Sequence, residues 1–129
     1  MSIIRKAAAL TAGVLVAGLG FGFAPASAAP HSHDPDACIY GFVWREARNG
    51  DTVCVKPEVR ARVAQENSTP MLNRQPGGGA YGSATCMQGF VWREAFDGDT
   101  ICVTPEIRRD TLADNAAAES RYLRNNGHD

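Results

Sequence analysis

Two stretches, Trp44-Arg45-Glu46-Ala47 and Trp92-Arg93-Glu94-Ala95, are each followed by an aspartate, Asp51 or Asp99, and hold the residue types from which a working surface could be built. An indole offers a flat apolar platform, and carboxylates beside it can accept hydroxyl groups, a combination that suits sugars. Glu46 with Asp51, or Glu94 with Asp99, could also divide acid and base roles as glycosidases require. A very small hairpin unit leaves little room for a deep cleft around such a pair, so we assign no catalytic residue and expect no enzyme. Trp44, Glu46, Asp51, Trp92, Glu94 and Asp99 stand as the candidate ligand-binding residues. Against them stands a plainer reading, which we favour for the tryptophans. Each fills the core of its unit, and Arg45 pairs with a carboxylate or with backbone.

Other chemistry is scarcer. Asp97-Gly98-Asp99 offers too few oxygen ligands for a tight calcium loop, and the first copy has Asn49 in place of Asp97. His31, His33, Asp34 and Asp36 make a loose metal-capable stretch, but Pro30 lacks the amide proton that an amino-terminal copper site requires. No histidine falls inside either repeat, which excludes a Ser-His-Asp or Cys-His apparatus there. Gly77-Gly78-Gly79 is followed by Ala80-Tyr81 and not by Lys-Ser/Thr, so it is no phosphate loop. We expect neither metal nor cofactor.

These residues need a compartment and a scaffold. Arg5 and Lys6 precede an apolar run from Ala7 to Ala24, and Ala26-Ser27-Ala28 has the small-residue pattern of a signal-peptidase site. Residues 1–28 therefore read as a signal peptide. Their removal takes Arg5 and Lys6 out of 13 basic residues, leaving 11 against 14 acidic ones, a formal charge of −3. That balance gives no electrostatic footprint for nucleic acid, and no later apolar run suggests a membrane span. The expectation is a secreted, monomeric, non-catalytic binding module for an extracellular ligand, first a cell-envelope glycan and alternatively a protein, as an effector or inhibitor.

The scaffold is a duplication. Residues 38–60, CIYGFVWREARNGDTVCVKPEVR, and residues 86–108, CMQGFVWREAFDGDTICVTPEIR, match at 16 of 23 positions with a constant offset of 48. Beyond them the likeness fades, although Asn67 and Asn115 still correspond. Each copy holds two cysteines, and an even count in a short exported chain reads as disulfides. Cys38, Cys54, Cys86 and Cys102 allow three pairings. The duplication favours Cys38–Cys54 and Cys86–Cys102, the pairing open to a single ancestral copy. Each bridge would close a loop of about 15 residues, worth roughly 3 kcal/mol in the chain-entropy model.

Within a copy, aromatic and β-branched residues from Gly41 to Ala47 suggest a strand. Asn49-Gly50, or Asp97-Gly98, suits a two-residue turn, and Thr52 to Val55 returns. That turn would place residue 44 opposite 55 and 46 opposite 53. Phe42, Trp44, Glu46, Asp51, Val53 and Val55 would then share one face, with Val43, Arg45, Ala47, Thr52 and Cys54 on the other. Pro57 and Pro105 suit a first helical position. Thr104 is a better N-cap than Lys56. The first helix should stop near Asn67, before Thr69-Pro70, and the second should run to about Leu123. Arg62 and Glu66 make a helix-surface pair, and Val59, Val63 and Ile107 should meet the hairpins. A protein-binding role would expose apolar residues such as Phe96 at the second hairpin tip.

The expected architecture is α+β, two small disulfide-stapled β-hairpin–helix repeats joined by a flexible linker. Residues 29–37 form a disordered arm, 38–67 the first repeat, 68–85 the Gly/Pro linker, 86–123 the second repeat, and 124–129 a disordered tail. The shared run Gly-Phe-Val-Trp-Arg-Glu-Ala, then Gly-Asp, Val/Ile-Cys-Val and Pro-Glu-x-Arg, resembles a tandem module of secreted actinobacterial proteins. The resemblance covers most of residues 38–123 and implies secretion. It has no established function attached and supplies no catalytic residue. Ser68 to Arg74 departs from its alanine-rich helix end, which implies a shortened first helix.

Overall fold

Proline and glycine mark the element boundaries of both repeats. The computed structural model describes residues 34–127. The segment expected as a signal peptide, its expected cleavage site, His31, His33 and His128 lie outside them. In the first repeat β1 (Val43–Trp44) pairs antiparallel with β2 (Cys54–Val55), and α1 (Pro57–Ser68) follows. The second repeats the order with β3 (Val91–Trp92), β4 (Cys102–Val103) and α2 (Pro105–Ala117), then short 3-10 turns at Ala118–Arg121 and Leu123–Asn125. The protein is thus α+β, built from two hairpin–helix units. Disulfides Cys38–Cys54 and Cys86–Cys102 staple each unit, the pairing the duplication favours.

The helices begin where the sequence places them. Proline stands at the start of both, where a missing N–H costs nothing. Thr104 Oγ1 accepts from Ile107 N at 3.3 Å, whereas Lys56 makes no side-chain cap. At the far end of α1, Thr69 N bonds back to Glu66 O, and Pro70 follows. The second helix ends at Ala117 and tightens into 3-10 turns, short of the α-helix expected to Leu123.

The hairpin register differs by one residue from the two-residue turn. Val43 lies opposite Val55, and Trp44 opposite Cys54. The face assignment based on the tighter turn therefore fails. Two features add length at the tip. Glu46 takes a left-handed backbone at φ 57°, as Glu94 does at 59°. Asn49 keeps negative φ, and only Gly50 of the turn pair is positive, at 86°. With strands this short, side chains and not a long ladder fix the register.

From Pro35 onward the chain forms one compact unit. Its core cluster joins Ala47 and Val63 of the first repeat to Ala95 of the second, with Val59 and Phe96 packed against it. Phe96, which a protein-binding role was to expose, is half-buried there, under the Arg48 guanidinium. Of residues 68–85, expected as a flexible linker, Ser68 ends α1 and the rest runs through turns tied by backbone bonds such as Gln75 N to Thr85 O at 2.8 Å. Gly78 is required in this stretch. It has φ 81°, and a Cβ there would come within 2.9 Å of Gly82 O.

Each repeat also completes the other. Tyr122, beyond α2, bridges to Cys38, and Arg74, beyond α1, bridges to Cys86. These two residues are counterparts at the 48-residue offset. Tyr122 OH donates to Thr52 O at 3.0 Å, while Arg74 Nη2 donates to Thr100 O at 3.1 Å. The segment from Asp36 and the segment to Asn126, expected disordered, also take part. Ala37 is buried, its carbonyl accepts from Leu123 N at 2.8 Å, and Asp36 pairs with Arg124.

Candidate functional site

The Trp-Arg-Glu-Ala run is used mainly for building. Arg45 is 2% exposed and Arg93 1%. Each guanidinium grips its aspartate with two nitrogens. Arg45 Nε and Nη2 reach the Asp51 carboxylate at 2.7 and 3.1 Å, and Arg93 reaches Asp99 at 2.7 and 3.2 Å. The planar guanidinium fork matches a carboxylate in this way. Asp51 also accepts from Ala47 N at 2.8 Å and Val53 N at 3.3 Å, so one carboxylate ties the whole hairpin tip. Asp99 does the same for Ala95 N and Ile101 N.

The remaining guanidinium nitrogens cross to the other repeat. Arg45 Nη1 donates to Asn115 Oδ1 at 2.8 Å, and Nη2 to Ala95 O at 3.1 Å. Arg93 Nη1 donates to Glu66 Oε1 at 3.0 Å. A buried charge needs every partner it can find, and these two find theirs across the interface. Asn67 and Asn115, the last corresponding pair in sequence, donate to Ala47 O and Glu94 O.

The other candidate residues fall differently. Glu46 is exposed and Glu94 half-buried, and they pair with Arg60 at 2.9 Å and Arg108 at 3.7 Å. Trp44 Nε1 donates to Asp36 O, and Trp92 Nε1 to Ala84 O, both at 2.8 Å, with both rings half-buried. Neither carboxylate pair therefore offers two unengaged acids, since Asp51 and Asp99 are held by arginines. The hollow beside Glu94, about 340 Å³, is walled by Phe96, Asp97, Gly98, Leu112 and Asn115, with Glu46 not among its walls. No group of three or more potential metal ligands occurs among the described residues. None of their helices is long and apolar enough to cross a membrane.

Two clefts border Phe90 of the second repeat. A cleft of about 320 Å³ lies among Tyr81, Thr85, Cys86, Phe90, Val91, Trp92 and Arg108. Tyr81 meets Trp92 edge-on, with ring centroids 5.6 Å apart. On the other side of Phe90 a smaller groove of about 170 Å³ borders Leu72, Asn73 and Ile107. Tyr81, Phe90 and Leu72 were not singled out from sequence. Phe90 belongs to the duplicated run, and its twin Phe42 is equally apolar, so nothing marked it as a surface residue. Tyr81 and Leu72 lie in the segment between the repeats, where composition alone suggested a tether. The carboxylates of Asp51 and Asp99, taken for ligand contacts, proved to be hairpin ties, with the invariant spacing of six from each arginine as the available signal. No family model matches this chain, and neither does any curated protein or solved structure.

Proposed function

We propose that this is a secreted, non-catalytic binding module, and that its ligand is a protein partner met by the face formed by the inter-repeat segment and the second repeat. One observation carries the reading. Among the described residues, Met71, Leu72, Tyr81 and Met87 are exposed large apolar side chains, all within one 17-residue stretch. Met71 is 67% exposed and Leu72 62%. At the 48-residue offset the second repeat has Glu119 and Ser120 in their places. At these two positions the duplicated scaffold is thus apolar after the first helix and polar after the second, while Tyr40, Leu112 and Leu123 are exposed elsewhere. Clustered exposed apolar side chains beside polar ones favour an interaction site. Export is supported by the signal-peptide pattern together with the two intramolecular disulfides.

A cell-envelope glycan is the second reading, favoured by the Tyr81–Trp92 cleft with Arg108 at its edge. One experiment separates the two. The protein and its Met71→Asp and Tyr81→Ala variants are compared for binding to insoluble cell-wall polysaccharide and for crosslinking to extracellular proteins. A single crosslinked species lost in Met71→Asp supports the protein partner. Sedimentation with polysaccharide that is lost in Tyr81→Ala overturns it in favour of the glycan.

A further inference from the structure

In the first repeat one groove is already filled, and an arginine fills it. The Arg121 guanidinium lies 4.8 Å from the centre of the Phe42 ring. Its Nη1 donates to Cys54 O at 2.9 Å and to Asp114 Oδ1 at 2.8 Å. Lys56 Nζ flanks the same ring at 5.4 Å. An aromatic ring under the cation, and a carbonyl and a carboxylate accepting from it, make a complete arginine receptor.

The second repeat reproduces the receiving half of this arrangement. At the 48-residue offset Phe90 corresponds to Phe42, Cys102 to Cys54, and Glu66 to Asp114. It does not reproduce the arginine. The counterparts of Arg121 and Lys56 are Asn73 and Thr104, both shorter and uncharged. The groove between them is open, about 170 Å³, with Glu66, Asn73, Phe90, Cys102, Thr104 and Ile107 on its walls. Arg93 N donates to Ile101 O at 2.7 Å, so Trp92 and Cys102 form the intervening pair of the ladder, which exchanges no hydrogen bonds. The Cys102 carbonyl therefore points away from β3, as that of Cys54 points away from β1 toward Arg121. Glu66 is shared between Arg62 at 2.9 Å and Arg93 at 3.0 Å, which weakens its pull. The ring and the carbonyl carry the recognition, and Glu66 sets its sign.

We propose that the groove beside Phe90 receives an arginine side chain presented by a protein partner. The proposal rests on the protein-partner reading and narrows it. The first repeat satisfies the site from within its own chain, and the second leaves it for another.

The test uses the disulfide-intact protein and three tripeptide probes, acetyl-Gly-Xaa-Gly-amide with arginine, lysine or the neutral isostere citrulline at the centre. NMR shifts of the Phe90 ring and the Cys102 and Ile107 amides are followed. The arginine peptide should shift all three and saturate, lysine should bind at least threefold more weakly, and citrulline should leave them in place. Phe90→Leu should weaken the arginine peptide at least fivefold. Arg121→Asn, confirmed folded, should open the twin groove, so that Phe42 shifts as well and the stoichiometry rises from one to two. Absence of any shift at Phe90, equal response to citrulline, or unaltered binding in Phe90→Leu overturns the site. Crosslinking lost in Met71→Asp is read separately, because Met71 is not a wall of the groove. If it persists without an arginine response, the arginine site fails and the protein-partner reading stands.

Discussion

Arg48 and Phe96 occupy the same position in their two repeats and lie against each other, the guanidinium carbon 4.2 Å from the ring centre. With the crossed bridges Tyr122–Cys38 and Arg74–Cys86, this contact shows the two hairpin tips meeting side by side where the copies join. Ala47 and Ala95, the neighbouring equivalent pair, share the core cluster there. The tandem chain is built like a dimer whose subunits have been joined. A contact between an arginine and a phenylalanine also explains why position 48/96 departs from identity. Two arginines would repel, and the pair found here attracts.

Breaking a buried clamp should be costly. Arg45→Met leaves Asp51 buried without its cation, and we expect a loss of about 3–5 kcal/mol in urea unfolding, with the same for Arg93→Met. Adding Asp51→Leu to Arg45→Met should not restore stability, because Ala47 N and Val53 N then lose their acceptor. Full recovery in the double variant would show that the carboxylate serves only the arginine.

The left-handed backbone at Glu46 makes a test of backbone strain. Glu46→Gly relieves a conformation that costs an L-residue about 1 kcal/mol but adds freedom to the unfolded chain, so stability should change by less than about 1 kcal/mol. Glu46→Val places a β-branched residue there and should cost about 1–2 kcal/mol more than Glu46→Gly. Equal unfolding midpoints for the glycine and valine variants would contradict the assignment.

A cut in the segment between the repeats should not part them. With a protease site introduced between Gly79 and Gly82, the halves remain joined by Arg45–Asn115, Arg93–Glu66, Tyr122–Thr52 and Arg74–Thr100. Both disulfides lie within repeats, so nothing covalent holds the halves after cleavage. Native mass spectrometry should record the intact mass plus one water, and denaturing, non-reducing electrophoresis two fragments. Separation under native conditions would mean that the interface needs the tether.

The contact between the two end segments should be sensitive to acid. Hydrogen bonds from Arg124 first, and then from Thr52, hold the Asp36 carboxyl below its ordinary value of 3.8. A lowered carboxyl pKa stabilises the folded state above the ordinary value, and the benefit disappears as the pH falls through the folded value. The pair is largely solvent-exposed, so its contribution is small and screened by salt. Amide exchange at Leu123, which donates to Ala37 O, should therefore accelerate below about pH 4 beyond the intrinsic trend. Arg124→Gln should remove that extra step.

Much of each repeat was legible in sequence, for local reasons. Pro57 and Pro105 start helices, Thr104 caps one, and the duplication itself selects Cys38–Cys54 and Cys86–Cys102. The register was not legible, because a side chain decides it. Asp51 binds Ala47 N and Val53 N in place of ladder bonds, and composition cannot distinguish such an aspartate from a solvated one. The candidate site suffered similarly. Trp44 and Trp92 lend their indole N–H groups to Asp36 O and Ala84 O, backbone carbonyls just outside the repeats, where side-chain type carries no signal. Contacts such as Arg45–Asn115 span 70 residues between two copies of one pattern, and periodicity within a copy holds no trace of them.

The meeting of Asp36 with Arg124 has a consequence for chain order. The two ends of the described fold lie within an ion pair of each other, while the turn between Gly79 and Gly82 is held by its own short bridge, by Thr85 and by Tyr81 against Trp92, all close to it along the chain. The order of the repeats along the polypeptide is thus interchangeable. A circular permutant that opens at Ala80-Tyr81 and joins residue 126 to residue 35 through a few glycines would read second repeat first, and it should close into the same interface with the same two disulfides.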